Sequence, residues 1–89
     1  MDPHDCATAR QHLERLRSRR RNSSPNDLRE AAEALGYVLD PKRGKGSHWW
    51  MRQPGRPPFT IPTSRNPVTV GTTQNILRIL QKVYDDVCA

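Results

Sequence analysis

The chain has 89 residues and a formal net charge of +6, from 15 Lys and Arg against nine Asp and Glu. A chain of this length forms one domain with a modest core, which argues against a deep, enclosed substrate cavity. No apolar run approaches the ~20 residues needed to span a bilayer, and the first residues lack the apolar segment of a signal peptide. The sequence therefore predicts a cytoplasmic protein that does not bind membranes.

The two cysteines, Cys6 and Cys88, lie near opposite ends of the sequence. They do not form a CxxC motif and have no histidine pair nearby, so we expect no zinc site. The basic region lacks the carboxylate cluster that a two-metal nuclease needs, so we expect no other metal and no cofactor. In a reducing compartment both are expected to be free thiols, and a disulfide between them is the less favoured alternative.

Positive charge is concentrated in residues 41–84, which contain eight Lys and Arg and no Asp or Glu. A continuous basic surface is typical of proteins that bind polyanions, most often nucleic acid. The alternative is a basic surface that serves only solubility.

The first 22 residues predict a separate helix with a thin apolar stripe. The stripe is expected to dock the helix but not to form a core, and it consists of Cys6, Ala9, Leu13 and Leu16. The arginines in RSRRRN at its end complement the helix dipole and are also suited to contact phosphate. We interpret residues 1–22 as a basic helical extension and residues 23–89 as the domain proper.

A second helix is predicted over residues 25–35. Ser24 is expected to cap it, with Pro25 at its first position, Asp27 in the first turn and Gly36 just after its end. A last helix is predicted to follow Gly71, with Thr72 or Thr73 as its cap and a wide apolar stripe along it.

Between these helices, residues 37–40, 47–53 and 59–61 predict three short antiparallel strands, and residues 54–58 a rigid turn. The resulting order predicts an α+β fold, in which a three-stranded antiparallel sheet carries two helices on one face. This α-β-β-β-α plan is that of double-stranded-RNA-binding domains (dsRBD-like), here with an extra N-terminal helix.

In the second predicted strand, His48, Trp50 and Arg52 share one face, while Trp49 and Met51 share the other. The sequence does not decide which face the helices cover. At least one tryptophan is expected in the core, and the other is either in the core or available to stack on bases.

The stretch KRGKGSHWWMR, residues 42–52, contains the residues best suited to catalysis. Imidazole exchanges protons near neutral pH, and RNA supplies its own nucleophile in the 2′-hydroxyl. A ribonuclease built here needs only His48 for proton transfer, Lys42 and Lys45 for charge, and glycine amides for phosphate oxygens. The alternative is a glycine hairpin that leads into an aromatic strand, with His48 merely at its edge.

Three segments, ALGYVLDPKRGKGSHWWMRQPG, FTIPT and NPVTVGTTQNILRILQK, together resemble the HicA family of bacterial toxins, also called YcfA-like. The resemblance covers residues 24–83, and its most diagnostic part is Gly46-Ser47-His48 between two short strands. Where the family commonly has a lysine before the last helix, this chain has Val70, so no phosphate contact is assigned there.

The resemblance implies a dsRBD-like fold, mRNA as the substrate, and neutralisation by a HicB-type antitoxin that covers the active site. His48 is carried over as the catalytic residue, a general acid or base that works without metal. The residues expected to bind RNA are Lys42, Arg43, Lys45, Gly46, Ser47 and Arg52. The expected protein is a type II toxin, an mRNA interferase that is monomeric when free and hetero-oligomeric with its antitoxin. The alternative is a non-catalytic RNA-binding module of the same fold, in which the histidine is only a contact.

Overall fold

The computed structural model describes residues 3–42 and 46–88, with side chains from Asp5 onward. The elements in chain order are α1 (Pro3–Ser18), α2 (Pro25–Ala34), β1 (Val38–Leu39), β2 (His48–Gln53), β3 (Arg56–Pro62) and α3 (Val70–Cys88). The strands form one antiparallel sheet in the order β1-β2-β3. The predicted α+β class with a three-stranded antiparallel sheet is confirmed.

The start of α2 follows the predicted capping chemistry. The Asp27 N–H donates to Oγ of Ser24 at 3.0 Å, and the Ser24 N–H donates to Oδ2 of Asp27 at 2.9 Å. This reciprocal capping box satisfies two backbone donors at the helix start, where a single cap contributes about 1 kcal/mol. Gly36 follows the helix with a φ of +96°, as expected for the residue after a helix end.

Strand β3 is longer than predicted, because residues 56–58 belong to the strand and not to a turn. Met51 pairs with Phe59 and Gln53 with Arg56, so β3 carries one extra residue opposite β2. Pro57 and Pro58 lie in this bulge on an edge strand, one of the few places where a sheet tolerates residues without an N–H. The turn itself is only Pro54-Gly55.

Helix α3 starts earlier than predicted. Its cap is Thr69, whose Oγ1 accepts the N–H of Thr72 at 3.4 Å, so the expectation that Thr72 or Thr73 caps the helix is wrong. Both threonines lie inside the first turn of α3, and Thr73 is fully buried.

One face of the sheet lies under the helices and the other is open. Met51, Phe59 and Ile61 are buried in the core, and Leu39 and Trp49 pack against it. The opposite face carries the alternate residues of β2, including His48 and Arg52, which are exposed. The expectation of a core tryptophan is met only in part, because Trp49 is half-buried and packs against the core. The Cζ atom of Arg29 lies over the Trp49 ring, 5.3 Å from its centroid.

Helix α1 contributes to the core instead of only docking on it. Ala9, Leu13 and Leu16 are at most 1% exposed and belong to the same buried cluster as residues of α2, α3 and the sheet. The boundary at residue 22 remains an interpretation of the sequence, since α1 shares its core with residues 23–88.

Cys6 and Cys88 form a disulfide that joins the start of α1 to the end of α3, so the expectation of two free thiols is wrong. The two residues are 82 positions apart, but α1 and α3 pack against each other and bring their Cα atoms to 5.7 Å. This spacing lies within the range that a disulfide requires. Within residues 3–42 and 46–88, no helix is long and apolar enough to cross a membrane.

Candidate functional site

His48 is the first residue of β2 and lies opposite Pro62 of β3. Its side chain is exposed, on the face of the sheet away from the buried cluster. A proton-transfer role requires this accessibility, which a histidine packed beneath the helices would lack.

Gly46 and Ser47, the two residues before His48, are held in place by hydrogen bonds. Oγ of Ser47 lies 3.2 Å from Nδ1 of His48, within hydrogen-bonding distance whichever atom donates. The Thr63 N–H donates to the Ser47 carbonyl at 2.7 Å, and Oγ1 of Thr63 donates to the Gly46 carbonyl at 3.3 Å. Gly46 has a φ of +69°, a left-handed conformation that favours glycine. Thr63, directly after β3, therefore holds the end of the loop beside the His48 ring.

A groove of about 570 Å³ runs from His48 along the outer edge of β3 to the first turns of α3. Its polar side chains besides His48 are Thr60, Thr72 and Asn75, and its apolar floor includes Phe59 and Ile76. Among the described residues that line it, His48 is the one with an acid–base side chain. The groove can therefore supply one proton-transfer group together with hydroxyl and amide hydrogen bonds.

The sequence did not indicate Thr63, Thr72 or Asn75 as site residues. Thr63 ends the FTIPT segment and Thr72 lies in the VGTT segment, both of which carry the family resemblance, so motif membership was the available signal. Asn75 lies in the same segment as Thr72, but its place in the groove depends on how α3 packs beside β3.

Of the three cations of the basic loop that are predicted to bind RNA, Lys42, Arg43 and Lys45, the structure describes only Lys42. Its side chain is exposed, and its backbone N–H donates to Oδ1 of Asp40 at 2.9 Å, which fixes the start of the loop. Arg43 and Lys45 lie outside the described residues, so their roles remain predictions.

Arg52 lies on the same sheet face as His48, four residues further along β2, or about 13 Å at ~3.3 Å per residue. Its Nε is 3.2 Å from Oδ2 of Asp40, whose side chain is only 14% exposed. The positive charge of Arg52 is therefore partly neutralised, which weakens its predicted role as a phosphate contact.

Arg56 is also paired with a carboxylate, since its Nη1 lies 2.9 Å from Oδ2 of Asp86. This hydrogen bond, together with the nearby charge of Lys82, holds the pKa of Asp86 below its ordinary value. Asp40 and Asp86 flank the acid-free stretch in sequence, but the fold brings both of them onto it. The continuous basic surface expected from residues 41–84 is therefore interrupted by two carboxylates.

No three His, Cys, Asp or Glu side chains lie close enough together to hold a metal ion within the part of the chain that the structure describes. Comparisons of the chain with protein-family models, with curated proteins and with solved structures found no match. The resemblance to HicA toxins therefore stays a prediction from the sequence.

Proposed function

We propose that this protein is a dsRBD-like endoribonuclease of the HicA type, a toxin that cleaves mRNA without a metal ion and is neutralised by a HicB-like antitoxin. The observation that carries the proposal is the placement of His48. Its imidazole is exposed at the end of an open groove, lies within hydrogen-bonding distance of Ser47, and follows a loop that contains lysine and glycine.

In this reaction the 2′-oxygen of the RNA forms a bond to the adjacent phosphorus, and the bond from phosphorus to the 5′-oxygen breaks. The products are a 2′,3′-cyclic phosphate and a 5′-hydroxyl. His48 acts either as the base that takes the 2′-hydroxyl proton or as the acid that protonates the leaving 5′-oxygen, and water completes the other transfer. An imidazole must be neutral to act as a base and protonated to act as an acid. A cleavage rate that rises with pH therefore indicates the base, and a rate that falls with pH indicates the acid.

The surroundings of His48 supply what else the reaction needs. Lys42 is exposed at the start of the loop and can neutralise phosphate charge. Thr72 and Asn75 face the groove from the first turns of α3 and offer hydrogen bonds to sugar or base. The RNA proposed to occupy the groove is a single strand, the form whose bases proteins read most readily.

The test compares His48→Ala and His48→Gln with His12→Ala, which removes a histidine on α1, in cleavage of an unstructured RNA in EDTA. We expect both His48 variants to fold and to lose ~10²–10⁴-fold in rate, the usual contribution of general acid–base catalysis. The His12 variant should cleave as the wild type does. A folded His48→Ala protein that cleaves at the wild-type rate contradicts the proposal.

The antitoxin component has its own test. A cell that expresses the wild-type chain should stop growing unless a HicB-like protein encoded beside it is expressed too, and His48→Ala should relieve the arrest. Arrest that is unchanged by His48→Ala, or no arrest at all, argues against a ribonuclease toxin.

A non-catalytic RNA-binding module is the second candidate function. It is favoured by one observation: no second titratable side chain lines the groove beside His48 among the described residues. Saturable RNA binding with no cleavage at high protein concentration supports this alternative and rejects the enzyme.

A further inference from the structure

The largest group of cations without an ion-pair partner in the described part of the chain lies away from His48, where α1 ends. Arginines occupy positions 15, 17, 19, 20 and 21, all exposed, and residues 15–26 contain no Asp or Glu. The ion pairs of the described residues involve Arg10, Arg29, Arg52 and Arg56, and none of these five arginines.

The backbone that carries these arginines is fixed by hydrogen bonds. Ser23 is 1% exposed, its Oγ donates to the Arg19 carbonyl at 2.7 Å, and its own carbonyl accepts the N–H of Val68 at 2.9 Å. The Asn22 N–H also donates to the Arg19 carbonyl, at 2.9 Å. The turn after α1 is thereby tied to the loop before α3, and the backbone beneath its cations is held in place before any ligand binds.

One member of this arginine cluster, Arg17, lines a groove between α1 and α3. The groove has a volume of about 460 Å³, and the cations along it are Arg17, Arg78 and Lys82. Nη1 of Arg20 donates to Oε1 of Gln74, which also lines the groove, at 3.2 Å. Its acids, Asp85 and Asp86, lie at the C-terminal end of α3, so the half nearer the N-terminus of α3 is positively charged. We call this half, defined by Arg17, Arg20, Gln74 and Arg78, the arginine groove.

The arginine groove and the groove beside His48, here called the His48 groove, are both lined by α3. Thr72 and Asn75 line the His48 groove, while Gln74 and Arg78 line the arginine groove. All four are in the N-terminal half of α3, and an α-helix with its side chains is ≈ 10–12 Å across. The two grooves are therefore separated by little more than the width of one helix.

We infer that the arginine groove binds the phosphate backbone of the same single-stranded RNA whose scissile phosphate lies at His48, with the strand crossing the N-terminal half of α3. This inference rests on the proposed function for the role of His48, while the binding of RNA in the arginine groove can be measured without it. Planar guanidinium groups match phosphate geometry, and exposed cations without carboxylate partners bind phosphate without first breaking an ion pair. RNA binding in the arginine groove is expected to be independent of nucleotide sequence, because the contacts are to phosphate and not to base edges.

Helix-dipole stabilisation is the competing explanation for the arginines, since cations in a last turn favour the helix. It accounts for Arg15 and Arg17 within α1. It does not account for Arg20 and Arg21, which follow the helix end, or for the convergence of Arg78 from α3 on the same groove.

The test measures binding of a fluorescent oligouridylate of about 12 nucleotides, within the range covered by small single-strand-binding domains. Its sugars carry 2′-O-methyl groups, so it has no nucleophile and cannot be cleaved. The test variant is Arg17→Gln/Arg20→Gln. The matched control is Arg10→Gln/Arg29→Gln, which also removes two positive charges but takes them from arginines paired with Glu14 and Glu33.

We expect the test variant to bind more weakly and to show a smaller dependence on salt. The slope of log Kd against log salt should fall by about 0.7 for each phosphate that the protein no longer neutralises, and so by about 1.4 for the pair. The control should keep the wild-type slope. Amide resonances of Gln74 should shift on titration with the oligonucleotide in the wild type and much less in the test variant.

The outcomes separate this inference from the function on which it rests. If cleavage depends on His48 but the test and control variants bind oligouridylate equally, the inference about the arginine groove is wrong and the proposed ribonuclease activity still holds. Weaker binding and a smaller slope only in the test variant, with no cleavage by any protein, support the groove and reject the enzyme. If the test variant keeps its RNA affinity but no longer binds a purified HicB-like antitoxin, the surface binds protein and the inference is wrong.

Discussion

Asp40 and Arg52 form an ion pair across the β1–β2 edge of the sheet, with Oδ2 of the carboxylate 3.2 Å from Nε of the guanidinium. The pair lies on the open face that also carries His48. Arg52 is 54% exposed, so the pair contributes at most about 1 kcal/mol to stability. Its larger effect is electrostatic, because it lowers the positive potential of the face to which RNA would bind.

Replacing Asp40 should therefore strengthen RNA binding. Asp40→Asn removes the negative charge and keeps an oxygen that can accept the Lys42 N–H, so Arg52 becomes available to phosphate. We expect several-fold tighter binding of single-stranded RNA at low salt, measured by fluorescence anisotropy, with a larger salt slope. Glu33→Gln makes the same change in charge next to Arg29 on α2 and should have a much smaller effect. Equal effects of the two substitutions would mean that only net charge matters.

Two glycines of similar openness should respond in opposite ways to alanine. Among the described residues, apart from the chain neighbours and the backbone of the same helix, no atom lies within 4 Å of a Cβ built on Gly46 or Gly71. Gly46 has a φ of +69°, and a left-handed residue with a Cβ costs about 1–2 kcal/mol. Gly71 lies in the first turn of α3, where alanine should stabilise by about 0.4–1 kcal/mol.

Urea unfolding followed by tryptophan fluorescence measures both effects. Gly46→Ala should also reduce RNA cleavage, because the strain falls on the residue that leads into Ser47 and His48, whereas Gly71→Ala should not. An equally active Gly46→Ala protein would show that the loop tolerates other conformations.

Tyr37 predicts how stability changes at alkaline pH. Its ring is 2% exposed and packs edge-on against Phe59 at 4.9 Å, and burial raises the pKa of its hydroxyl above the ordinary 10.0, although Gln53 and Arg56 act in the opposite direction. The folded state thus favours the neutral phenol. This contribution is fully present below pH 10 and is lost as the pH rises through the higher folded-state pKa.

Tyr37→Phe removes the titrating hydroxyl, so its free energy of unfolding should fall less between neutral and strongly alkaline pH than that of the wild type. All other ionisable groups are the same in the wild type and in Tyr37→Phe, so the difference between the two stability curves isolates Tyr37. Parallel stability curves for the two proteins would contradict the assignment.

The Cys6–Cys88 disulfide should stabilise the chain strongly when oxidised. Closing a loop of 82 residues removes unfolded-state entropy equivalent to about 4.5 kcal/mol in the loop-closure treatment. Reduction with dithiothreitol should lower the Tm of the wild type, and Cys6→Ser should have the low Tm with or without reductant. An unchanged Tm on reduction would show that α1 and α3 need no covalent link. A reducing cytoplasm would hold the pair largely as thiols.

Local sequence signals predicted the elements whose formation depends on local chemistry. Ser24, Pro25 and Asp27 defined the start of α2, since a capping box needs only residues close in sequence. The alternation in β2 correctly separated His48 and Arg52 from Trp49 and Met51, and it left open only which set faces the helices.

What the sequence did not predict depends on contacts between distant residues. Proline content suggested a turn at Pro57 and Pro58, but a bulge on an edge strand accommodates both. The thin stripe of α1 suggested docking alone, because the partners of Leu13 and Leu16 on α2 and α3 are visible only after packing. Likewise, the pairing of Arg52 with Asp40 depends on strand register. Residues 41–84 contain no acid, so nothing close to Arg52 in the sequence indicated a carboxylate partner.

In the candidate site too, the sequence predicted neighbouring residues but not those that packing brings together. Gly46, Ser47 and His48 are adjacent in sequence and could be selected as a motif, whereas Thr63 and Asn75 reach the site from the end of β3 and from α3. The arginines after α1 were recognised as suited to phosphate, but their proximity to Gln74 and Arg78 follows from how α1 packs against α3.

The prolines of β3 limit how another protein can associate with this one. Three of its seven residues, Pro57, Pro58 and Pro62, have no N–H to offer an incoming strand, and β1 at the opposite edge has only two residues. Neither border of the sheet is thus a good template for β-augmentation or for edge-to-edge aggregation. An inhibitor of this protein would have to bind through side chains on a helix or on the open face, and not by extending the sheet.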